Sequence, residues 1–100
     1  MHLITDNLQK IIALCKKYKV KTLYVFGSIL TSRFNDKSDV DFSATFNHDP
    51  DPLIAGENFI NFYMALEDLK GRRIDLVDED YLKNPYFIEE LNETKQLIYG

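Results

Sequence analysis

Asp39 and Asp41, separated by one residue, open the most regular stretch of this 100-residue chain. From Asp39 onward the residues alternate strictly, with Val40, Phe42, Ala44 and Phe46 on one side and Asp39, Asp41, Ser43 and Thr45 on the other. Successive strand side chains point to opposite faces, so this period reads as a half-buried strand whose two carboxylates project together. Adjacent carboxylates repel and raise each other's pKa unless a cation lies between them, and hard oxygen ligands suit Mg²⁺. In a chain with 16 acidic residues such a pair also arises as an ordinary solvated strand start, so the metal reading needs a second feature.

Gly27-Ser28 supplies it. "KTLYVF" reads as a buried strand, and the glycine-serine pair that follows would form the turn opening a short helix, "SILTSRF". Glycine lets backbone approach a ligand closely, and the Ser28 hydroxyl is placed either to cap the helix or to bond a phosphate oxygen. A phosphate-binding turn together with an Asp-x-Asp forms the two halves of a nucleoside triphosphate site, because Mg²⁺ bridges phosphate to carboxylate. A third carboxylate comes from "RRIDLVDED", where Ile74 and Leu76 alternate with Asp75. If the two strands are neighbours, Asp75 faces the side of Asp39 and Asp41. Asp78 is the competitor, but it falls at or beyond the strand end and reads as a solvated turn or helix start.

The elements that must position these residues follow in alternating order. Asp6 is the expected cap of a helix bearing Leu8, Ile11, Ile12, Cys15 and Tyr18 on one face, and a strand then runs from Lys21 to Phe26. "NHDPDP" is a turn, with Asp51 as cap and Pro52 at the first position of a helix that buries Phe59, Phe62, Tyr63, Leu66 and Leu69 and stops near Gly71. Asn84-Pro85 repeats the cap-then-proline signal for a last helix with Phe87, Ile88 and Leu91, and "QLIYG" offers a fourth strand. The fold class is therefore α/β of the two-layer α+β kind: a small mixed sheet of three to four strands with helices over one face.

Composition sets the limits. One hundred residues, 45% of them hydrophobic, make one domain over residues 1–100 that buries roughly two thirds of its unfolded surface. A net charge of −4 and a pI near 5.0 argue against general nucleic-acid binding, which needs a basic stripe. The basic pairs Lys16-Lys17 and Arg72-Arg73 do not form one. Cys15, the single cysteine, reads as a small core residue. No apolar run reaches membrane-spanning length and "MHLITDNLQK" is not a signal peptide, so no membrane partner and a cytoplasmic location are expected. His2 and His48, at a terminus and in a turn, are not expected to be ligands.

The pattern Gly27-Ser28, ten residues, Asp39-Val40-Asp41 and a later Asp75 resembles the minimal nucleotidyltransferase (MNT) domains of the DNA polymerase beta superfamily. The resemblance extends over nearly the whole chain and includes the closing "FIEELNETKQLIYG". It implies two Mg²⁺ ions, with Mn²⁺ as a substitute, held by Asp39, Asp41 and Asp75. It also implies that Gly27 and Ser28 hold the β and γ phosphates of ATP or another nucleotide. Many relatives carry a basic residue directly after Gly-Ser, whereas Ile29 and Leu30 stand here, which leaves Arg33 and Lys37 as the nearest cations. Minimal domains of this kind are often antitoxins that silence a helical HEPN ribonuclease toxin by transferring AMP to it. Two other classes stay open: a non-catalytic docking module of the same fold, and a transferase acting on a small molecule such as an aminoglycoside.

Overall fold

The computed structural model describes residues 2–35 and 37–100, apart from the side chains of His2 and Lys70; the reading of His2 therefore lies outside the described side chains. Its elements run α1 (His2–Thr5), α2 (Leu8–Lys17), β1 (Val20–Phe26), a 3₁₀ turn (Gly27–Leu30), β2 (Val40–Phe46), α3 (Pro52–Lys70), β3 (Ile74–Asp78), a second 3₁₀ turn (Glu79–Tyr81), α4 (Pro85–Thr94) and β4 (Gln96–Tyr99). The sheet order is β3-β2-β1-β4. β1 is antiparallel to β2 and β4, while β2 and β3, joined through α3, are parallel. A parallel pair needs such a crossover, so the sheet is mixed as expected.

Alternation decides the two faces. Leu23 and Val25, their partners Ala44 and Phe42, and Ile74 and Leu76 turn inward and are buried. Ile11 and Cys15 of α2 and Phe62 and Leu66 of α3 close this core. Each large side chain so buried is worth about 1.5–3 kcal/mol. Local signals set the ends of α3. Asp51 Oδ1 accepts the Leu53 N–H at 2.9 Å, Pro52 follows, and Gly71 at φ 60° returns its N–H to the Glu67 carbonyl. Asn84 caps α4 in the same way, accepting from the N–H groups of Tyr86 and Phe87.

Several expectations are corrected. Asp6 does not cap α2. Residues 2–5 form their own turn, Asn7 occupies the cap position without a side-chain bond there, and its amide turns back to the Leu3 carbonyl. The helix expected over "SILTSRF" is only the turn Gly27–Leu30, because Thr31 folds back with both its N–H and its hydroxyl on the Ser28 carbonyl. The second sheet face is also less open than the sequence implied. Phe87 of α4 packs edge-on against Phe26 at 6.0 Å, Lys95 lies 4.1 Å over the Tyr24 ring, and Ser43 on that face is fully buried. A half-buried ion pair, Lys95 Nζ to Glu79 Oε1 at 2.8 Å, joins the end of α4 to the second 3₁₀ turn. α4 therefore walls part of the face that carries the aspartates. Among the described residues no helix is long and apolar enough to cross a membrane.

Candidate active site

Asp39 stands one residue before β2 and Asp41 within it. Asp41 is register-paired with Asp75 across the parallel β2–β3 ladder and with Phe26 across the antiparallel β1–β2 ladder. Opposed residues share a face, so Asp41 and Asp75 project side by side. Burial first, then the charge of Asp75 and a hydrogen bond with it, then the charge of Asp39 push the Asp41 carboxyl up from 3.8 to about 6. All three carboxylates thus act on one electrostatic neighbourhood. Arg73 Nε lies 4.0 Å from Asp39 Oδ1, with the arginine side chain 86% exposed, a surface pair of small energetic weight. Asp78 is on the opposite face, in register with Ala44, where its Oδ1 accepts the Asp80 N–H; it takes no part in the cluster.

Gly27 ties the turn to the aspartates. Its φ of +78° is in the left-handed region, and a Cβ built there would overlap Asp41 Oδ2 and come within 3.1 Å of its carboxyl carbon. Glycine is required on both counts, since any side chain would be strained by the backbone and would displace the carboxylate. Gly27, Ser28 and Arg33 also line one groove of about 610 Å³, walled on the other side by Phe26, Phe87 and Leu91. Phe26, not Ser28, holds the cap position of the 3₁₀ turn, and Ser28 lies within it. Arg33 and Lys37 are exposed.

The donor set is chemically suited to a hard divalent cation, with three carboxylates on one face that repel while no cation lies between them. As placed, no group of three or more His, Cys, Asp or Glu among the described residues is closed into a metal-ligating cluster. The site is an open row rather than a cage, a form suited to an ion that also takes ligands from a nucleotide. Cys15 is fully buried, and burial pushes its thiol up to about 12, which excludes a nucleophilic role at neutral pH. His48 is exposed, on the rim of a cavity at the far end of the sheet that Asp78 also lines.

One positioning group escaped the sequence reading. The Arg72 guanidinium donates to the carbonyls of Asn35 at 2.9 Å and Ser38 at 2.5 Å and lies 4.8 Å from the centre of the Phe34 ring. It clamps the segment between the Gly27 turn and Asp39 from a position three residues before Asp75. The sequence signal was present only as the basic pair in "RRID", which composition alone assigns to the surface.

Comparison with known proteins agrees with this geometry. The family model described as polymerase beta nucleotidyltransferase matches residues 9–100. Two relatives from Methanocaldococcus jannaschii, each named "putative protein adenylyltransferase", are 38% identical, covering 96% of this chain and 93% of the relative, and 30% identical, covering 83% and 79%. A solved structure described as a "putative minimal nucleotidyltransferase" superposes with a TM-score of 0.75 at 26% identity, covering 96% of this chain and 95% of that one. A toxin-antitoxin structure with AMP-PNP shares the fold at a TM-score of 0.71 and 22% identity, covering 94% and 73%. So does a tri-AMPylated Shewanella oneidensis HEPN toxin in complex with an MNT antitoxin, at 0.60 and 21%, covering 96% and 71%. With its turn packed against its Asp-x-Asp and a family match over residues 9–100, the chain belongs to the polymerase beta nucleotidyltransferases and is a nucleotidyltransferase of their minimal kind.

Proposed function

We propose that the chain moves AMP from ATP to a hydroxyl of a partner protein, in the cytoplasm and with Mg²⁺, and that the partner is a HEPN-type toxin which it silences as an antitoxin. The observation that carries this reading is the contact between Gly27 and Asp41: a backbone turn able to take phosphate lies directly against the carboxylate row. The names of the M. jannaschii relatives support adenylyl transfer to protein, and the neighbouring complex of a tri-AMPylated HEPN toxin with an MNT antitoxin supports the partner.

In the proposed reaction the acceptor oxygen attacks the α-phosphorus, the bond from that phosphorus to the bridging oxygen of the β-phosphate breaks, and pyrophosphate leaves. Gly27 and Ser28 hold the leaving pyrophosphate through backbone N–H groups and the Ser28 hydroxyl, with Arg33 at the mouth of the same groove. Asp39, Asp41 and Asp75 hold Mg²⁺, which when bound supplies charge neutralisation at the phosphates. Asp75, on an exposed edge strand, receives the acceptor proton. Positioning and charge neutralisation supply most of the rate in such transfers.

A docking-only reading is favoured by one feature: Ile29 and Leu30 follow Ser28 and turn toward the core rather than offering a cation. Incubation of the chain, labelled ATP and a helical HEPN-type protein distinguishes the two. Nucleotidyl mass on the partner, lost in Asp75→Asn while the complex persists, is the expected result. A partner that is bound and neutralised yet stays unmodified with every nucleotide assigns the chain to docking alone.

A further inference from the structure

α3 is apolar on two sides. Phe62 and Leu66 fill the core, but Leu53, Ile60 and Met64, seven and four residues apart, form a second stripe along the opposite side of the helix. They are 70%, 58% and 55% exposed, with Ile54 beside them at 43%. At its N-terminal end the stripe runs into a cavity of about 810 Å³, lined by Pro52, Gly56, Phe59, Ile60 and Tyr81 among others, and Tyr81 is 78% exposed. Exposed apolar residues grouped in this way mark an interaction site, and the exposed Glu57 stands among them on the same side of the helix. Charge is one-sided as well. Glu57, Glu67 and Asp68 are the acidic residues of α3, and Lys70 is its single basic one.

We infer that the Leu53–Met64 stripe docks a partner helix whose apolar seam is flanked by lysine or arginine, and that this is how the acceptor protein is seated. This rests on the proposed transfer to a partner, and it names the surface and the recognising chemistry. A second copy of the chain fits less well, because it would set Glu57, Glu67 and Asp68 against the same acidic set. Tyr63, next to Met64, donates its hydroxyl to the Ile74 carbonyl at 3.0 Å, which ties α3 to the edge strand β3 that carries Asp75. A partner lying on the stripe sits on the side of α3 turned away from the sheet, so it leaves the nucleotide groove beside Gly27 open and reaches Asp75 only around the β3 edge.

The probes are two helical peptides with the same leucine seam at seven-and-four spacing, one flanked by lysines and one by glutamates, titrated by fluorescence anisotropy. The lysine-flanked peptide is expected to bind, to weaken as salt rises, and to lose at least about tenfold in affinity against Ile60→Asp. Ile60→Gln, a milder change at the same exposed position, should lose less. Thermal midpoints and ATP titration should be unchanged in both variants. Equal binding of the two peptides, or no binding of either, overturns the inference; so does concentration-dependent self-association of the wild-type chain that Ile60→Asp abolishes. Because no nucleotidyl transfer is measured, failure here leaves the transfer reading standing, and a chain that docks the peptide but labels nothing would fail that reading alone.

Discussion

Replacing Asp41 by asparagine should stabilise the metal-free protein at neutral pH and leave it unchanged in acid. The folded carboxyl titrates near 6 against 3.8 for its ordinary value. Between these values the folded state binds more protons than the unfolded chain, so the Asp41 contribution is fully favourable below about pH 4, falls as pH rises toward 6, and stays low above. At about 1.4 kcal/mol per pH unit the interval gives a ceiling of about 3 kcal/mol. Asp41 is only part-buried, and solvent screening reduces this to about 1–2 kcal/mol. Asparagine keeps the size and the hydrogen-bonding reach toward Asp75 while removing the repelled charge.

The assay is thermal unfolding of both proteins in EDTA from pH 4 to 7.5. A gain of 1–2 kcal/mol in a domain of this size corresponds to roughly 4–16 °C in Tm. It should appear at pH 7.5 and vanish near pH 4. Asp78, whose carboxyl burial also pushes up, is intact in both proteins and cancels in the difference. Asp75→Asn should produce a rise of its own, and the two should not add, because each removes the same repulsion. Excess Mg²⁺ should then raise the wild-type midpoint and leave that of Asp41→Asn unmoved. An asparagine variant less stable than wild type at pH 7.5, or a difference independent of pH, would refute the picture of three carboxylates held together by the fold against their charge.

Two further predictions concern the groups that hold this row in place. Gly27→Ala should lower stability by at least about 1–2 kcal/mol from its left-handed backbone alone and weaken metal-dependent ATP binding through displacement of Asp41, whereas Ser28→Ala should affect stability little; calorimetry with urea unfolding reads both, and the reverse order would reduce Gly27-Ser28 to a plain turn. Arg72→Lys keeps the charge but loses the planar guanidinium that reaches both carbonyls and lies over the Phe34 ring. It should cost about 1–2 kcal/mol and weaken ATP binding with the Asp39 carboxylate chemically intact; unchanged ATP affinity would make the clamp irrelevant to the site.

What the sequence made legible was whatever is decided within a few residues. The alternation through Val40, Phe42 and Ala44 placed Asp41 on its face. Asp51-Pro52, Asn84-Pro85 and Gly71 bracketed α3 and α4, because caps and left-handed turns are local chemistry. What was hidden depends on partners distant in the chain: the Arg72 clamp reaches back 34 and 37 residues, and α4 lies on the aspartate face through Phe87 and Phe26. The turn after Gly27 was overextended because Thr31 closes on Ser28, a competition between side chain and helix that periodicity does not register. The distance between glycine and aspartates has the same origin. Phe26 is opposite Asp41 in an antiparallel pair, so the residues from 27 to 39 are the return loop that brings the chain back beside its own turn. The pairing, rather than the loop's length, lays Asp41 against Gly27, and Arg72 pins the loop near its Asp39 end. The spacing is therefore a statement of strand register: a change in loop length that kept the Phe26–Asp41 pairing and the Arg72 clamp would preserve the aspartate row, whereas a slip of one residue in β2 would turn Asp41 into the core and Phe42 out onto the aspartate face.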